Sequence, residues 1–519
     1  MIFYEKETLY GLALASLPAI FSIYFFFFRD NRKAGLLLLL ASAFLLRLVM
    51  VSLDPFLHEW DERFHALVAK HMMDRPFVPM LFAEHILPYD MRDWGYNHIW
   101  VHKQPLFLWQ MALSMKIFGI NTIALRLPSV VMGTILVWLV YDISRKWTQN
   151  EMVSFLAAFL AAFSGYSLEL VSGFVSLEHN DLAFLFYMTC SYWAFTRYVD
   201  SGHQVRWAVL IGLFAGLAIL NKWLTGFLIF GGWGLYLILS EYRTQLRYYL
   251  HIAYGLLVTC VVFVPWQLYI MKAFPAESAI SYETNRKHIT ESLGHPGDVW
   301  FHFQFLPEAY HIVLIGLMVI GIASILNTDG QKRILSITYI TMCVVLFGFF
   351  SIIVATKMPA LVYPAAPFFF ILMAYGAYAV IRFVFKHEIQ VPVRRMWIFS
   401  LTVLFLGYCS FKPMKIAAER SPDNVFRNNK LINTAVYKSL EPEITKKYVI
   451  FNCEPYENIE LMFFQDVIAY HWYPEPAKID SLQQAGYHIA AFQFHDHPQV
   501  LPQWLVEDPE VLVLDKGLK

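Results

Sequence analysis

Long apolar runs alternate with short polar breaks along most of the chain. The runs fall at 7–28, 34–53, 121–141, 152–173, 182–199, 207–220, 224–240, 248–271, 309–326, 334–355, 361–385 and 396–411. About twenty apolar residues cross the hydrocarbon core as a helix. The pattern therefore predicts an α-helical polytopic membrane protein of about twelve spans, closely spaced runs being able to merge or split. The first run, in "MIFYEKETLYGLALASLPAIFSIYFFFF", has neither a basic start nor a small-residue cleavage site, and is read as a retained helix rather than a signal peptide. The breaks are asymmetric. "RDNRK" (29–33), "SRKW" (144–147), "RYVDSGHQVR" (197–206), "EYRTQLR" (241–247), "DGQKR" (329–333) and "VPVRR" (391–395) are basic, and all share one side if twelve helices alternate. Short basic loops face the cytoplasm. The opposite side then receives the segment from 54 to about 120, the turns near Asp181 and Lys222, the loop 272–307, the "TKMPALVYP" turn (356–364) and a polar tail from about 412.

Two shorter patterns stand out in the first outer segment. In "LDPFLHEWDERFHALVAKHMMDRPFVP" (53–79), Phe64, Leu67, Val68, His71 and Met72 recur at helical spacing. They predict an amphipathic helix lying in the membrane interface with its apolar face down. "NHIWVHKQPLFLWQMALSMKIFG" (97–119) predicts a second interfacial helix. The tail, 412–519, reads as a small extracytoplasmic α/β domain, separate from the membrane part at 1–411. Its predicted strands are "KYVIFN", "DVIAYHW", "HIAAFQF" and "EVLVLD", with helices at "ENIELMFF" and "IDSLQQAG".

Composition agrees with the pattern. The chain is 58% hydrophobic and 15% charged, against about 25% charged in ordinary soluble domains. Its formal net charge of +0 argues against a nucleic-acid partner, which calls for a basic face. The five cysteines form no paired framework. There is no Walker A loop, no G-x-G-x-x-G and no internal repeat, which disfavours an ATP-driven pump. Charged residues are not spread through the middles of the spans, as they are in many ion-coupled transporters. The "FHDHP" cluster (494–498) offers two histidines, but loop histidines beside a proline are usually just solvated.

The candidate chemistry gathers on the outer side. Glu59, Asp61 and Glu62 fall within four positions at the start of the predicted helix. Asp61 and Glu62 can simply complement the helix dipole, or one can act as a general base at the water–lipid boundary. His102 and Lys103 open the second helix, where a lysine is commonly a snorkelling or headgroup contact. "SLEHND" (176–181), "NKW" (221–223) and "TKMPALVY" (356–363) add Asp181, Lys222, Lys357 and Tyr363. Singly, each is explained as a cap or interfacial anchor. Together, carboxylates and lysines on one face suit an acid–base reaction with an anionic leaving group.

These segments also carry a family likeness. "EWDERFHALVAKHMM", "HKQPLFLWQMALSMKIFG", "EHNDLAF", "NKWLTG" and "TKMPALVYPAAPFFFILMA" resemble, in order over about residues 50–380, the motifs of GT-C glycosyltransferases. The likeness is to lipid-A aminoarabinose transferases and dolichyl-phosphate-mannose–protein mannosyltransferases. It implies a polyprenyl-phosphate sugar donor and inverting transfer to an acceptor hydroxyl (of a glycan, lipid or protein) at the extracytoplasmic face of a bacterial inner membrane. It implies Asp61 as leading candidate for the base, with Glu62 beside it. Lys103, Lys222, Lys357 and Tyr363 fall at the donor phosphate, and His102, Asp181 and Glu59 are further site candidates. The chain departs from the family in having His102 where a glutamate precedes the lysine, Gln104 in place of a second proline, and an extra first span. The missing carboxylate leaves a divalent cation cofactor open. A ligase or polymerase of lipid-linked oligosaccharides, or a lipid-linked sugar transporter, are the rival readings.

Overall fold

The computed structural model describes residues 2–84, 86–174, 179–222, 224–494 and 499–519. Helices occupy all twelve apolar runs. Among the described residues, seven are long and apolar enough to cross a membrane, or up to nine if each of two bent pairs is one span. The expected twelve is thus not reached by length and composition. Val205–Ile219, at 15 residues, is one of the short ones. It spans about 22 Å at 1.5 Å per residue, against a core of about 30 Å. That shortfall matters, because Asn221 and Lys222 follow directly on its end.

The two bends have visible causes. Glu151–Phe163 and Gly165–Ser172 meet at 46° about Ser164. The last carbonyls of the first helix are then taken by a charge: Arg47, fully buried in the span Arg32–Ser52, donates to Ala161 O at 3.2 Å and Ala162 O at 3.3 Å. A buried arginine inside a span is tolerated when it satisfies freed backbone in this way. Phe301–Ala309 and Ile312–Leu326 meet at 110°. Ile312–Leu326 then packs on Ala366–Val384 through Gly321 and Gly376, where an added Cβ would stand 1.9 Å from Leu372 O and 1.8 Å from Leu317 O. Only glycine permits that approach, the small-residue contact typical of membrane helices.

The polar tail holds a three-stranded parallel sheet in the order β1 (Tyr448–Phe451), β2 (His488–Phe492), β3 (Val511–Leu514), in register Tyr448↔His488 and Ile489↔Val511. Glu457–Phe464 and Pro476–Gln484 lie in the crossover from β1 to β2, and Gln503–Val506 in that from β2 to β3. The "DVIAYHW" segment makes only a single bridge, Ile450↔Ala469, instead of a full strand. The pair His495 and His497 lies outside the described residues.

The predicted amphipathic helix forms at Asp61–Met72. Its polar face is not left to water. Glu62, Arg63 and His65 are all buried, because the tail covers one side and the membrane bundle the other. The hydrophobic period sets the helix; only distant residues reveal what covers its polar face. Leu106–Phe118 leaves Leu113, Ile117 and Phe118 exposed, as an interfacial helix does.

Candidate functional site

The site is built around the loop that enters Asp61–Met72. Trp60 precedes it with φ 60° and ψ −116°, a region a bulky side chain rarely adopts. The loop is held there from both sides. Toward the bundle, Arg126 donates from Nε to Glu62 Oε1 at 2.6 Å and from Nη2 to Glu62 Oε2 at 2.8 Å. Its remaining hydrogens reach Val51 O, Asp54 O and Phe56 O. His179 Nε2 lies 2.9 Å from Glu62 Oε1 and is itself bonded to Ser129. Gly173 closes this nest: its φ is +71°, and a Cβ would stand 2.6 Å from His179 Nε2.

Toward the tail, Asp54 is clamped by Arg420 at 2.6 Å and Arg427 at 2.8 Å. Arg63 meets Glu457 at 3.1 Å, and Lys430 joins Glu457 to Glu59 at 3.0 and 2.9 Å. Burial pushes the Asp54 carboxyl up, but Arg420, His58 and Arg427 outweigh it and hold it at about 2. Glu62 likewise resists burial; Arg126, with bonds from His179, holds it well below the usual carboxylate range. Burial lowers His58 to about 4 despite Glu62 and Asp54 beside it.

Glu62 is therefore an anchor: both its oxygens are committed, and it is buried. Asp61, the next residue toward the rim, is different. It is partly exposed, and Lys103 Nζ lies 3.3 Å from its Oδ1. Lys103 in turn lines a cavity of about 390 Å³. Its wall carries polar side chains, among them His102, Gln104, Lys222 and His288, together with apolar ones such as Leu224, Leu228, Leu346, Phe349 and Leu361. Lys222 donates to Asp181, so the second lysine also carries a carboxylate partner. Asn221 spends its amide hydrogens on Leu217 O at 2.7 Å. The Oδ1 atoms of Asn180 and Asn221 are buried and accept no hydrogen bond among the described residues.

Asp61, His102, Lys103, Asp181 and Lys222 are thus brought together, with Glu59 bound to Lys430 just outside. Lys357 and Tyr363 are placed elsewhere. The Lys357 ammonium donates to Phe350 O and Ser351 O at 2.9 Å each and to Val354 O at 2.5 Å. All three of its hydrogens cap the end of the span Gly330–Ile353. Tyr363 is buried against Ser167 at 2.5 Å and Ser164 at 3.4 Å. Neither lines the cavity. Arg126, Arg420, Arg427 and Glu457 escaped the sequence reading. Only Arg126, a lone charge in an apolar run, carried a local signal.

Among the described residues, no three His, Cys, Asp or Glu side chains gather as a metal site. The carboxylates here are paired with lysines and arginines, so no step below is routed through a metal.

Known proteins resemble this chain in sequence and in fold. Residues 102–269 match the family described as dolichyl-phosphate-mannose-protein mannosyltransferase. The undecaprenyl phosphate-alpha-4-amino-4-deoxy-L-arabinose arabinosyl transferase of Pseudomonas paraeruginosa is 28% identical over 232 residues, 42% of this chain and 40% of that protein. The match thus spans about two fifths of the curated relative's length. Among solved structures, ArnT from Cupriavidus metallidurans bound to undecaprenyl phosphate superposes with a TM-score of 0.62 at 14% identity, covering 90% of this chain and 89% of that one. The oligosaccharyltransferase AglB from Archaeoglobus fulgidus, in complex with an inhibitory peptide and a dolichol-phosphate, gives 0.52 at 12% identity over 85% and 65%. The chain is a multi-pass membrane protein of the GT-C fold that resembles the aminoarabinose transferases and, across residues 102–269, the protein mannosyltransferase family.

Proposed function

We propose that this chain is a glycosyltransferase that moves a sugar from a polyprenyl-phosphate donor to an acceptor hydroxyl, with inversion, on the extracytoplasmic side of a bacterial inner membrane. The observation that carries this reading is one cavity whose wall holds two lysines as well as apolar side chains, with a carboxylate paired to one of those lysines. A prenyl phosphate likewise joins a charged head to an apolar tail. The donors named for the relatives, undecaprenyl and dolichyl phosphates, support it.

The residues then take the following roles. Lys103 and Lys222 hold the donor phosphate. The acceptor hydroxyl is a poor nucleophile, so Asp61 accepts its proton as the new carbon–oxygen bond forms at the anomeric carbon. The bond from that carbon to the phosphate oxygen breaks, with oxocarbenium character between the two events. The electron pair leaves on the prenyl phosphate, whose growing charge the two lysines stabilise. Lys357, Tyr363 and Glu62 hold the scaffold.

The test uses the protein in lipid nanodiscs with a panel of undecaprenyl-phosphate sugars and a mixture of hydroxyl-bearing acceptors: glycans, a glycolipid and a serine/threonine peptide. Release of undecaprenyl phosphate by the intact chain, lowered about 10²- to 10⁴-fold by Asp61→Asn, supports the transferase. Binding without release from any donor moves the reading to a transporter, or to a ligase acting on larger lipid-linked oligosaccharides.

A further inference from the structure

An aromatic strip leads away from the cavity and across the seam with the tail. His102, on the cavity wall, stacks on Trp94 with centroids 5.4 Å apart and planes 11° from parallel. Trp94 lies 6.5 Å from Trp60, and Trp60 lies 5.3 Å from Tyr456 at the start of Glu457–Phe464. Tyr456 continues to His471 at 4.9 Å, whose Nε2 is 3.1 Å from the hydroxyl of Tyr96. Three separate segments, 60, 94–102 and 456–471, therefore contribute to one surface.

Two features set the strip apart from ordinary packing. Trp60 and Tyr456 both have φ of +60°, a backbone state that side-chain-bearing residues other than Asn and Asp rarely take. And Trp60, the largest side chain available, is 54% exposed. Stability alone favours glycine or asparagine in such a backbone and a buried indole. The ring is instead held outward, one residue before Asp61.

We propose that this strip is the acceptor subsite, and that its occupant is a sugar ring of a glycan-bearing acceptor. The proposal rests on the transferase reading and deepens it. The C–H face of a pyranose stacks on indole and phenol, while its hydroxyls need acceptors. Glu59, paired with Lys430, and Asp93, which takes the amide hydrogen of Gly95 at 2.9 Å, border the strip with carboxylate lone pairs to spare. The same carboxylates disfavour an anionic headgroup or a bilayer surface. A ring seated on Trp60 has its hydroxyls beside Asp61. The tail domain, through Tyr456 and His471, then helps to choose the acceptor.

The test measures binding of radiolabelled, uncharged hexose and N-acetylhexosamine tetrasaccharides to the full chain in nanodiscs, compared with Trp60→Asn and Tyr456→Asn. Asparagine tolerates positive φ, so each variant keeps the backbone and loses the ring; an unchanged melting temperature checks that it has. Saturable binding of at least one tetrasaccharide, weakened about tenfold in both variants as for loss of a stacked ring, is the expected result. Binding of none, or an affinity unchanged in either variant, overturns the proposal. So does quenching by brominated lipid of the fluorescence that Trp60→Asn removes, which would place the indole in the bilayer as a belt residue. Undecaprenyl phosphate release, followed on the same nanodiscs, reports on the transferase reading separately. A chain that binds saccharide at the strip but releases nothing from any donor keeps the glycan surface and loses the transferase.

Discussion

Lys103 Nζ stands 3.3 Å from Asp61 Oδ1, so the proposed base and a proposed phosphate ligand are direct neighbours. With no donor bound, each balances the other's charge at the cavity rim. A phosphate arriving at Lys103 would draw the ammonium away from Asp61 and leave the carboxylate to the acceptor hydroxyl, coupling donor binding to activation of the base. Lys103→Met is expected to lower kcat by about 10²–10³ and Asp61→Asn by about 10²–10⁴. Because the two groups touch, the double variant should lose less than the product of the single effects. Steady-state release of undecaprenyl phosphate measures all four rates, and simple multiplication would show that the pair does not act as a unit.

Lys222 and Lys357 separate on the same assay. Lys222 lines the cavity and donates to Asp181; Lys357 caps three carbonyls at the end of a span. Lys222→Gln should raise the donor KM about tenfold or more, as loss of a charge-assisted bond does. It also leaves Asp181, only 6% exposed, without that lysine. Adding Asp181→Asn should recover thermal stability but not donor affinity. Lys357→Met should do the reverse, lowering the melting temperature while the surviving folded protein keeps its donor KM. A donor KM raised by Lys357→Met with stability intact would return Lys357 to the phosphate.

Much of this architecture was legible in the chain. The helices in the apolar runs, though not the count of twelve spans, the amphipathic helix at Asp61–Met72 and the crossover helix at Glu457–Phe464 follow from period and length alone, which are local properties. Asp61, Lys103 and Lys222 were legible because polar groups at the ends of apolar runs must come to one membrane surface. Lys357 and Tyr363 sit at similar run ends, and sequence spacing does not say which way a side chain turns. The clamp from Asp54 to Arg420 and Arg427 joins residues more than 360 positions apart; no period carries such a pairing. Nor does composition reveal that Trp60 is held outward, since that depends on a backbone angle.

That clamp should make the junction with the tail labile in acid. Asp54 is held at about 2, below its ordinary 3.8, by Arg420, His58 and Arg427 against burial. Its contribution is present above about pH 4 and is lost as pH falls toward 2. His58, lowered by burial from 6.5 to about 4, acts in the same direction: the unfolded chain takes up the proton first, so stability falls between about pH 6.5 and pH 4. Melting of the nanodisc-embedded protein from pH 7 to pH 4 should show a steady decline, and His58→Gln should flatten it. A decline unchanged in that variant would place the titrating group elsewhere.

Glu62 offers the sharpest distinction between anchor and base, because it neighbours Asp61 but is held by Arg126 and His179, whereas Asp61 is paired with Lys103. Its oxygens take two bonds from Arg126, one from His179 and one from the His58 backbone N–H, and Arg126 is fully buried. Removing the charge leaves a buried guanidinium without its counter-ion, a loss of about 3–5 kcal/mol. Glu62→Gln should therefore lower the melting temperature strongly, while Asp61→Asn should not. Gly173→Ala attacks the same nest from the other side, by adding a Cβ 2.6 Å from His179 Nε2 at a φ of +71°, and should destabilise by about 1–3 kcal/mol. Both variants should lose kcat in proportion to lost structure, since the anchor fixes where Asp61 points. If Glu62→Gln instead abolished release with the melting temperature unchanged, Glu62 and not Asp61 would be the residue that takes the proton.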